Sequence, residues 1–95
     1  PLDGKYRHDL LTDDAEKALA AELERLDPLF AGLWEANRYY DFFLLLRELS
    51  PTVDAFFEQV MVMCEDEAVR KNRLNLLQAL VNRLGRMADF AALQI

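Results

Sequence analysis

Six polar residues in the C-terminal half of the chain are spaced to share one face of a helix. At about 100° per residue they fall within one sector. They are Lys71, Asn72, Asn75, Gln78, Asn82 and Arg86. The run from Ala68 to Ala88 holds no Asp or Glu, so amides and cations there can hydrogen-bond phosphates and base edges. The pattern therefore indicates RNA contact, and an ordinary solvated helix face is the simpler alternative.

A second group of charges surrounds the predicted start of the same helix. Three consecutive acids end at position 67, and two arginines then fall in line with the apolar stripe of the helix. A charge on that line must find partners or reach the end of the bundle. We expect a structural clasp that fixes the turn between two helices. Its members are Glu65, Asp66, Glu67, Arg70 and Arg73.

The residue types needed for catalysis are not placed together. Cys64 and His8 are the sole cysteine and histidine, and no other residue set has nucleophile–base spacing. The sequence also lacks metal-ligand spacing and a glycine-rich phosphate loop. We therefore expect no catalytic residue, metal or cofactor in this chain.

The charge is unevenly distributed along the chain. The net charge of −6 argues against non-specific affinity for nucleic acid. Residues 1–65 hold 14 acids and 6 bases, whereas residues 66–95 hold 3 acids and 5 bases. A local basic strip on an acidic domain is therefore compatible with the composition.

Helical periodicity and capping signals predict the elements that position these residues. Asp27-Pro28 and Ser50-Pro51 are each interpreted as a cap followed by proline at the first helical position. Asp66 is expected to cap the last helix, whose core face would include Leu80, Val81 and Leu84. A fourth helix would carry an apolar stripe from Val53 to Cys64. The five predicted helices cover about 14–26, 28–36, 39–49, 51–64 and 67–87.

These elements predict an all-α fold, a single compact bundle of about five mostly antiparallel helices over residues 11–95. Residues 1–10 are expected to be a linker or disordered tail, because Asp3-Gly4 is a turn signal and no periodicity follows it. No apolar run approaches the roughly 20 residues needed to cross a bilayer. A single cysteine suits the reducing cytoplasm. The start at Pro1, without a Met, suggests a piece of a longer protein.

Several aromatic residues could stack on bases. They are Trp34, Tyr39, Tyr40, Phe42 and Phe43. Their helical spacing favours a core role for most of them, and Tyr40 is expected to be exposed.

The stretch Val53–Leu77 resembles the C-terminal end of the β subunit of bacterial glycyl-tRNA synthetases. The family shows Val-x-Ala-Phe-Phe, Val-Met-Val-Met, an acidic pair, Ala-Leu-Arg and Asn-Arg-Leu. Here these elements correspond to Val53–Phe57, Val60–Met63, Glu65-Asp66, Ala68–Arg70 and Asn72–Leu74. The similarity extends over about residues 10–95.

The resemblance implies an anticodon-binding helical domain of the Asp-Ala-Leu-Arg type, shared with arginyl-tRNA synthetases. The signature here is Glu67-Ala68-Val69-Arg70. The parent would be a cytosolic α2β2 ligase that joins glycine to its tRNA with ATP and magnesium. Its α subunit would carry the adenylate-forming site, so this non-catalytic domain would supply tRNA recognition.

Two functions remain open at this point. In the first, the domain binds the anticodon arm of glycine tRNA through five side chains of the last helix. They are Lys71, Asn75, Gln78, Asn82 and Arg86. In the second, it is a protein–protein interaction module that packs within the parent synthetase and contacts little RNA; the net charge of −6 favours this alternative for the isolated domain.

Overall fold

Three α-helices form the described part of the chain. A computed structural model describes residues 2–36 and 38–92, with side chains at all of these positions except 34, 39 and 87–92. The elements are a 3₁₀ helix His8–Leu10, α1 Asp14–Glu35, α2 Tyr39–Gln59 and α3 Glu67–Ala92. The all-α class is confirmed, and the prediction of about five helices is wrong.

Pro28, expected to open a new helix, lies inside α1. An internal proline removes one backbone hydrogen bond and costs about 3 kcal/mol. The apolar stripe continues across it, since Leu23, Leu26 and Phe30 are all buried. Each such side chain contributes roughly 1.5–3 kcal/mol when fully buried. Continuous burial therefore offsets the proline, and two predicted helices are one.

Pro51 lies inside α2 for the same reason. Phe42, Leu49 and Phe56 recur every seven residues across the proline, and all three are buried. A seven-residue repeat keeps side chains on one helix face. The Ser50-Pro51 signal is locally correct for a helix start, but this buried face keeps the helix continuous through it.

Residues 13–60 form one compact unit in which α1 packs against α2. The rings of Phe30 and Phe42 are 5.1 Å apart between centroids. Arg25 Nη2 lies 3.3 Å from Glu48 Oε2. Partner numbers fall along α2 as they rise along α1, so the two helices are antiparallel.

Residues 2–12 and 61–92 belong to a second unit, built on α3. Leu76, Ala79 and Leu80 are its buried apolar residues on α3. Val81 and Leu84, which were expected in the core, are 56% and 44% exposed. The buried face of α3 is thus rotated away from the predicted leucine line.

α2 ends at Gln59, earlier than the predicted stripe to Cys64. Val60 is extended, with φ −105° and ψ 123°, and Met61 and Met63 are about 70% exposed. The carbonyls of Met61 and Cys64 accept hydrogen bonds from arginines of α3. This supplies the partners that those carbonyls would otherwise need from a continued helix.

No helix within the described ranges is both long and apolar enough to span a bilayer.

Candidate nucleic-acid interface

The start of α3 is fixed by the predicted cap. The Val69 amide donates to Asp66 Oδ1 at 3.1 Å, and the Arg70 amide donates to the Asp66 carbonyl at 2.8 Å. Capping satisfies amides that the first helical turn leaves without partners. The register of every polar side chain farther along α3 follows from this start.

The two arginines of the expected clasp bind backbone oxygens. Arg73 is buried, and its guanidinium donates to the Met61 carbonyl at 2.5 Å and to Thr12 Oγ1 at 3.0 Å. Arg70 Nη1 donates to the Cys64 carbonyl at 3.2 Å. These bonds tie the loop before α3 to the helix. Ion pairing of the arginines with the three acids stays a prediction, and all three acids are exposed.

Residues 2–10, here called the N-terminal strap, lie along α3. The Asp3 and Gly4 amides both donate to Asn75 Oδ1 at 3.2 Å. Farther along the strap, the backbone of Arg7 is hydrogen-bonded to the side chain of Asn72. The strap therefore runs antiparallel to α3 and covers one flank of its polar face. Both asparagines are buried, at 7% and 4% exposure.

Gly4 is the point at which the strap comes closest to α3. Its φ is +78°, in the left-handed region that favours glycine. A Cβ there would lie 2.9 Å from Asn82 Nδ2 and 3.4 Å from Ala79 Cα. A larger residue would therefore need both a strained backbone and more space.

A cleft of about 370 Å³ opens between the strap and the start of α3. Its charged lining consists of Lys5 and Arg7 from the strap, Lys71 from α3, and the carboxylate of Asp3. Alternation along an extended segment brings residues 3, 5 and 7 to the same side. The cleft thus concentrates cations on a chain whose net charge is −6.

The predicted RNA-binding residues are divided by the strap. Lys71, Asn82 and Arg86 are exposed, and Gln78 is half-buried with its Nε2 donating to Asn82 Oδ1 at 2.8 Å. Asn75 is instead committed to the strap. RNA contact through any of these side chains stays a prediction. The exposed cations and amides are nevertheless brought together on one side of α3.

The sequence interpretation did not include Lys5 and Arg7 because residues 1–10 were assigned to a tail. A signal was present, since two bases at alternate positions after a glycine turn would share one side of an extended segment. Which segment that side would face was not legible from spacing alone.

The aromatic residues divide as expected where their side chains are described. Tyr40 is 75% exposed and Phe42 is buried, whereas Phe43 is 45% exposed. Trp34 and Tyr39 lie outside the described side chains. In the part of the chain that the structure covers, no cluster of three or more His, Cys, Asp or Glu residues could hold a metal ion.

Comparison with known proteins gives a consistent result. The sequence profile of the DALR anticodon binding domain matches residues 2–89. The chain is 64% identical over 94 residues to the glycine–tRNA ligase beta subunit of Nitratidesulfovibrio vulgaris (strain DSM 19637 / Miyazaki F), covering 99% of the chain and 13% of that protein.

Two other proteins with the same name are similar. The one from Oleidesulfovibrio alaskensis is 60% identical over 94 residues, or 99% of the chain and 14% of that protein. The one from Solidesulfovibrio magneticus is 55% identical over 95 residues, or 100% of the chain and 14% of that protein. The chain therefore spans about one seventh of the length of these relatives. No solved structure matches it.

Proposed function

This chain belongs to the DALR anticodon binding domain family, and from that premise we propose that it binds the anticodon arm of glycine tRNA. Family membership confirms the resemblance predicted from Val53–Leu77. The signature Glu67-Ala68-Val69-Arg70 begins α3, the helix that also carries the exposed polar face. No comparison favours the alternative of an interaction module with little RNA contact.

The observation that carries the proposal is the exposed, acid-free side of α3. Lys71 and Arg86 lie fifteen residues apart on α3, with Asn82 exposed between them. A helix rises about 1.5 Å per residue, so the two cations are separated by roughly 22 Å along the axis. That length suits an RNA backbone better than a single small ligand.

Chemistry on this face fits unpaired RNA. Ammonium and guanidinium groups bind phosphates, and amides hydrogen-bond base edges that are accessible in single-stranded loops. The residues proposed to do so are Lys71, Gln78, Asn82 and Arg86. Asn75 would act indirectly, since its oxygen holds the strap.

The proposed context is the β subunit of a cytoplasmic glycine–tRNA ligase, with tRNA recognition assigned to this domain. Amino acid activation, with its ATP and magnesium, would belong to the α subunit of an α2β2 enzyme. The named relatives and the share of their length that the chain covers support this division of labour.

The proposal is tested by footprinting glycine tRNA on the complete ligase. Removing residues 2–92 should abolish protection of the anticodon arm and leave glycine-dependent ATP–pyrophosphate exchange intact. The double variant Lys71→Glu/Arg86→Glu should weaken tRNA binding. Lys17→Glu/Arg47→Glu, which makes the same charge change at exposed sites of α1 and α2, should have little effect. An anticodon arm that stays protected after the deletion would refute the function.

A further inference from the structure

We propose that the cleft between the N-terminal strap and α3 binds a phosphodiester of the RNA backbone through Lys5 and Lys71. This inference rests on the proposed function and assigns a phosphate contact to residues outside the predicted face. It makes the strap a part of the binding surface.

Free positive charge in the cleft comes from these two lysines. Within the described residues, neither ammonium group has a carboxylate partner within ion-pair distance. Arg7 is different, since its guanidinium is 2.6 Å from Asp9 Oδ2 and is therefore partly neutralised. The carboxylate of Asp3 accepts the Lys5 amide at 2.9 Å. A ligand that brings negative charge would complete the set.

The hydrogen-bonding capacity of the cleft also points to a ligand made of acceptors. Lysine ammonium groups are donors only. Asn75 spends its oxygen on two strap amides, so its remaining capacity is the donating Nδ2 group. Asn72 has both ends of its amide occupied by the backbone of Arg7. Phosphate oxygens accept hydrogen bonds and carry charge, which matches this inventory.

Lys71 supplies a second, independent indication. It lies one turn from the N-terminus of α3, where the helix dipole disfavours a cation and favours an anion. A phosphate in the cleft would meet both the ammonium group and the positive end of the helix.

The size and lining of the cleft favour backbone over base. Its volume of about 370 Å³ falls within the range of roughly 300–1,000 Å³ typical of small-ligand sites. Its apolar lining is Leu10 and Ala68, with no aromatic ring among the described residues on which a base could stack. The site therefore suits a phosphate and its sugar.

The strap is held in position before any ligand arrives. Asn72 and Asn75 anchor it at two points, and Gly4 sets its closest approach. Lys5 lies between these anchors, so the backbone that carries it is fixed relative to α3. Pre-ordering of this kind reduces the entropy lost on binding.

The test uses the complete ligase and anticodon-arm RNAs in which single phosphates are replaced by neutral methylphosphonates. In the unmodified enzyme, one or two positions should weaken binding roughly tenfold, the size of a lost charged hydrogen bond. Lys5→Ala/Lys71→Ala should weaken binding of unmodified RNA similarly and show no further loss at those positions. Its salt dependence should fall by about one counterion per phosphate.

Three controls complete the experiment. Lys17→Ala/Arg47→Ala removes two exposed charges elsewhere and should retain both the affinity and the salt slope. Lys5→Arg/Lys71→Arg should retain binding. RNA should protect the two lysines from amine acylation, and inorganic phosphate at equal ionic strength should not. Equal protection by inorganic phosphate would overturn the assignment to RNA.

The two proposals fail in different ways. If the double alanine variant has the same affinity, salt slope and methylphosphonate pattern as the unmodified enzyme, while the anticodon arm is still footprinted, the cleft inference is wrong and the domain function stands. Loss of the footprint in the unmodified enzyme would remove both.

Discussion

The side chain of Asn72 exchanges two hydrogen bonds with the backbone of Arg7. The Arg7 amide donates to Asn72 Oδ1 at 2.6 Å, and Asn72 Nδ2 donates to the Arg7 carbonyl at 3.0 Å. A buried side-chain amide thus plays the part that a neighbouring strand plays in a sheet. This pair holds the strap against a helix that offers no free backbone groups.

Asn72→Asp should release the middle of the strap. A carboxylate keeps the acceptor but loses the donor, and it would face the Arg7 carbonyl. We expect a loss of about 1–3 kcal/mol in unfolding free energy and faster hydrogen exchange at the Arg7 amide. Asn82→Asp, on the exposed side of α3, should change stability by less than about 0.5 kcal/mol. Equal effects of the two variants would contradict this role.

Gly4→Ala and Gly85→Ala should have opposite signs. The first places a Cβ at φ +78° against Asn82 and Ala79, which should cost about 1–3 kcal/mol. The second fills open space within α3 and should add about 0.5–1 kcal/mol. Thermal unfolding of the two variants measures both. An unaffected Gly4→Ala variant would show that the strap does not need this close approach.

Arg73→Lys should destabilise the chain more than Arg70→Lys. The buried guanidinium of Arg73 reaches Met61 and Thr12 with two nitrogens, and a lysine cannot reproduce that fork. The expected cost is about 2–3 kcal/mol for Arg73 and less than about 1 kcal/mol for the partly exposed Arg70. Urea unfolding decides between them. Similar midpoints for both variants would refute the assignment.

Glu22 should make stability depend on pH in the acid range. Its hydrogen bond from Arg25 lowers the pKa of the Glu22 carboxyl in the folded state. A lowered pKa contributes stability above the unfolded pKa of about 4.3, and the contribution disappears as pH falls through the folded value. The gap between Glu22→Gln and the unmodified chain should therefore be largest near neutral pH and close on acidification.

Melting temperatures between pH 7 and pH 3 measure that gap. The effect should be small and reduced by salt, because Arg25 is half exposed. Glu58→Gln, at another exposed carboxylate, serves as the control. A constant difference between Glu22→Gln and the unmodified chain across this range would rule out the linkage.

Local signals in the sequence were sufficient for the helical class and for the start of α3. Apolar spacing predicted the helices, and Asp66 was recognised as a cap from its position alone. Pro28 and Pro51 misled because their strength as helix starts is local, whereas the burial that keeps α1 and α2 continuous depends on two helices packing together. Boundary signals in the middle of an unbroken stripe deserve less weight than the stripe.

The polar face was only partly predictable. Periodicity placed Lys71, Asn82 and Arg86 outward, and they are exposed. Asn72 and Asn75 have the same residue type and spacing as their exposed neighbours. They are buried because the backbone of a segment some 70 residues away supplies their partners. Spacing within a helix carries no information about a distant strand of chain that covers it.

The division of the chain also sets an order of assembly. The α1–α2 hairpin is continuous in sequence, over residues 13–60, and can form from local contacts. The strap bonds join positions 65 to 72 residues apart, and contacts of such separation form late because a long loop must close first. During synthesis the first ten residues must therefore wait for the last helix. A chain that stops before residue 72 would have a hairpin but no anchored strap.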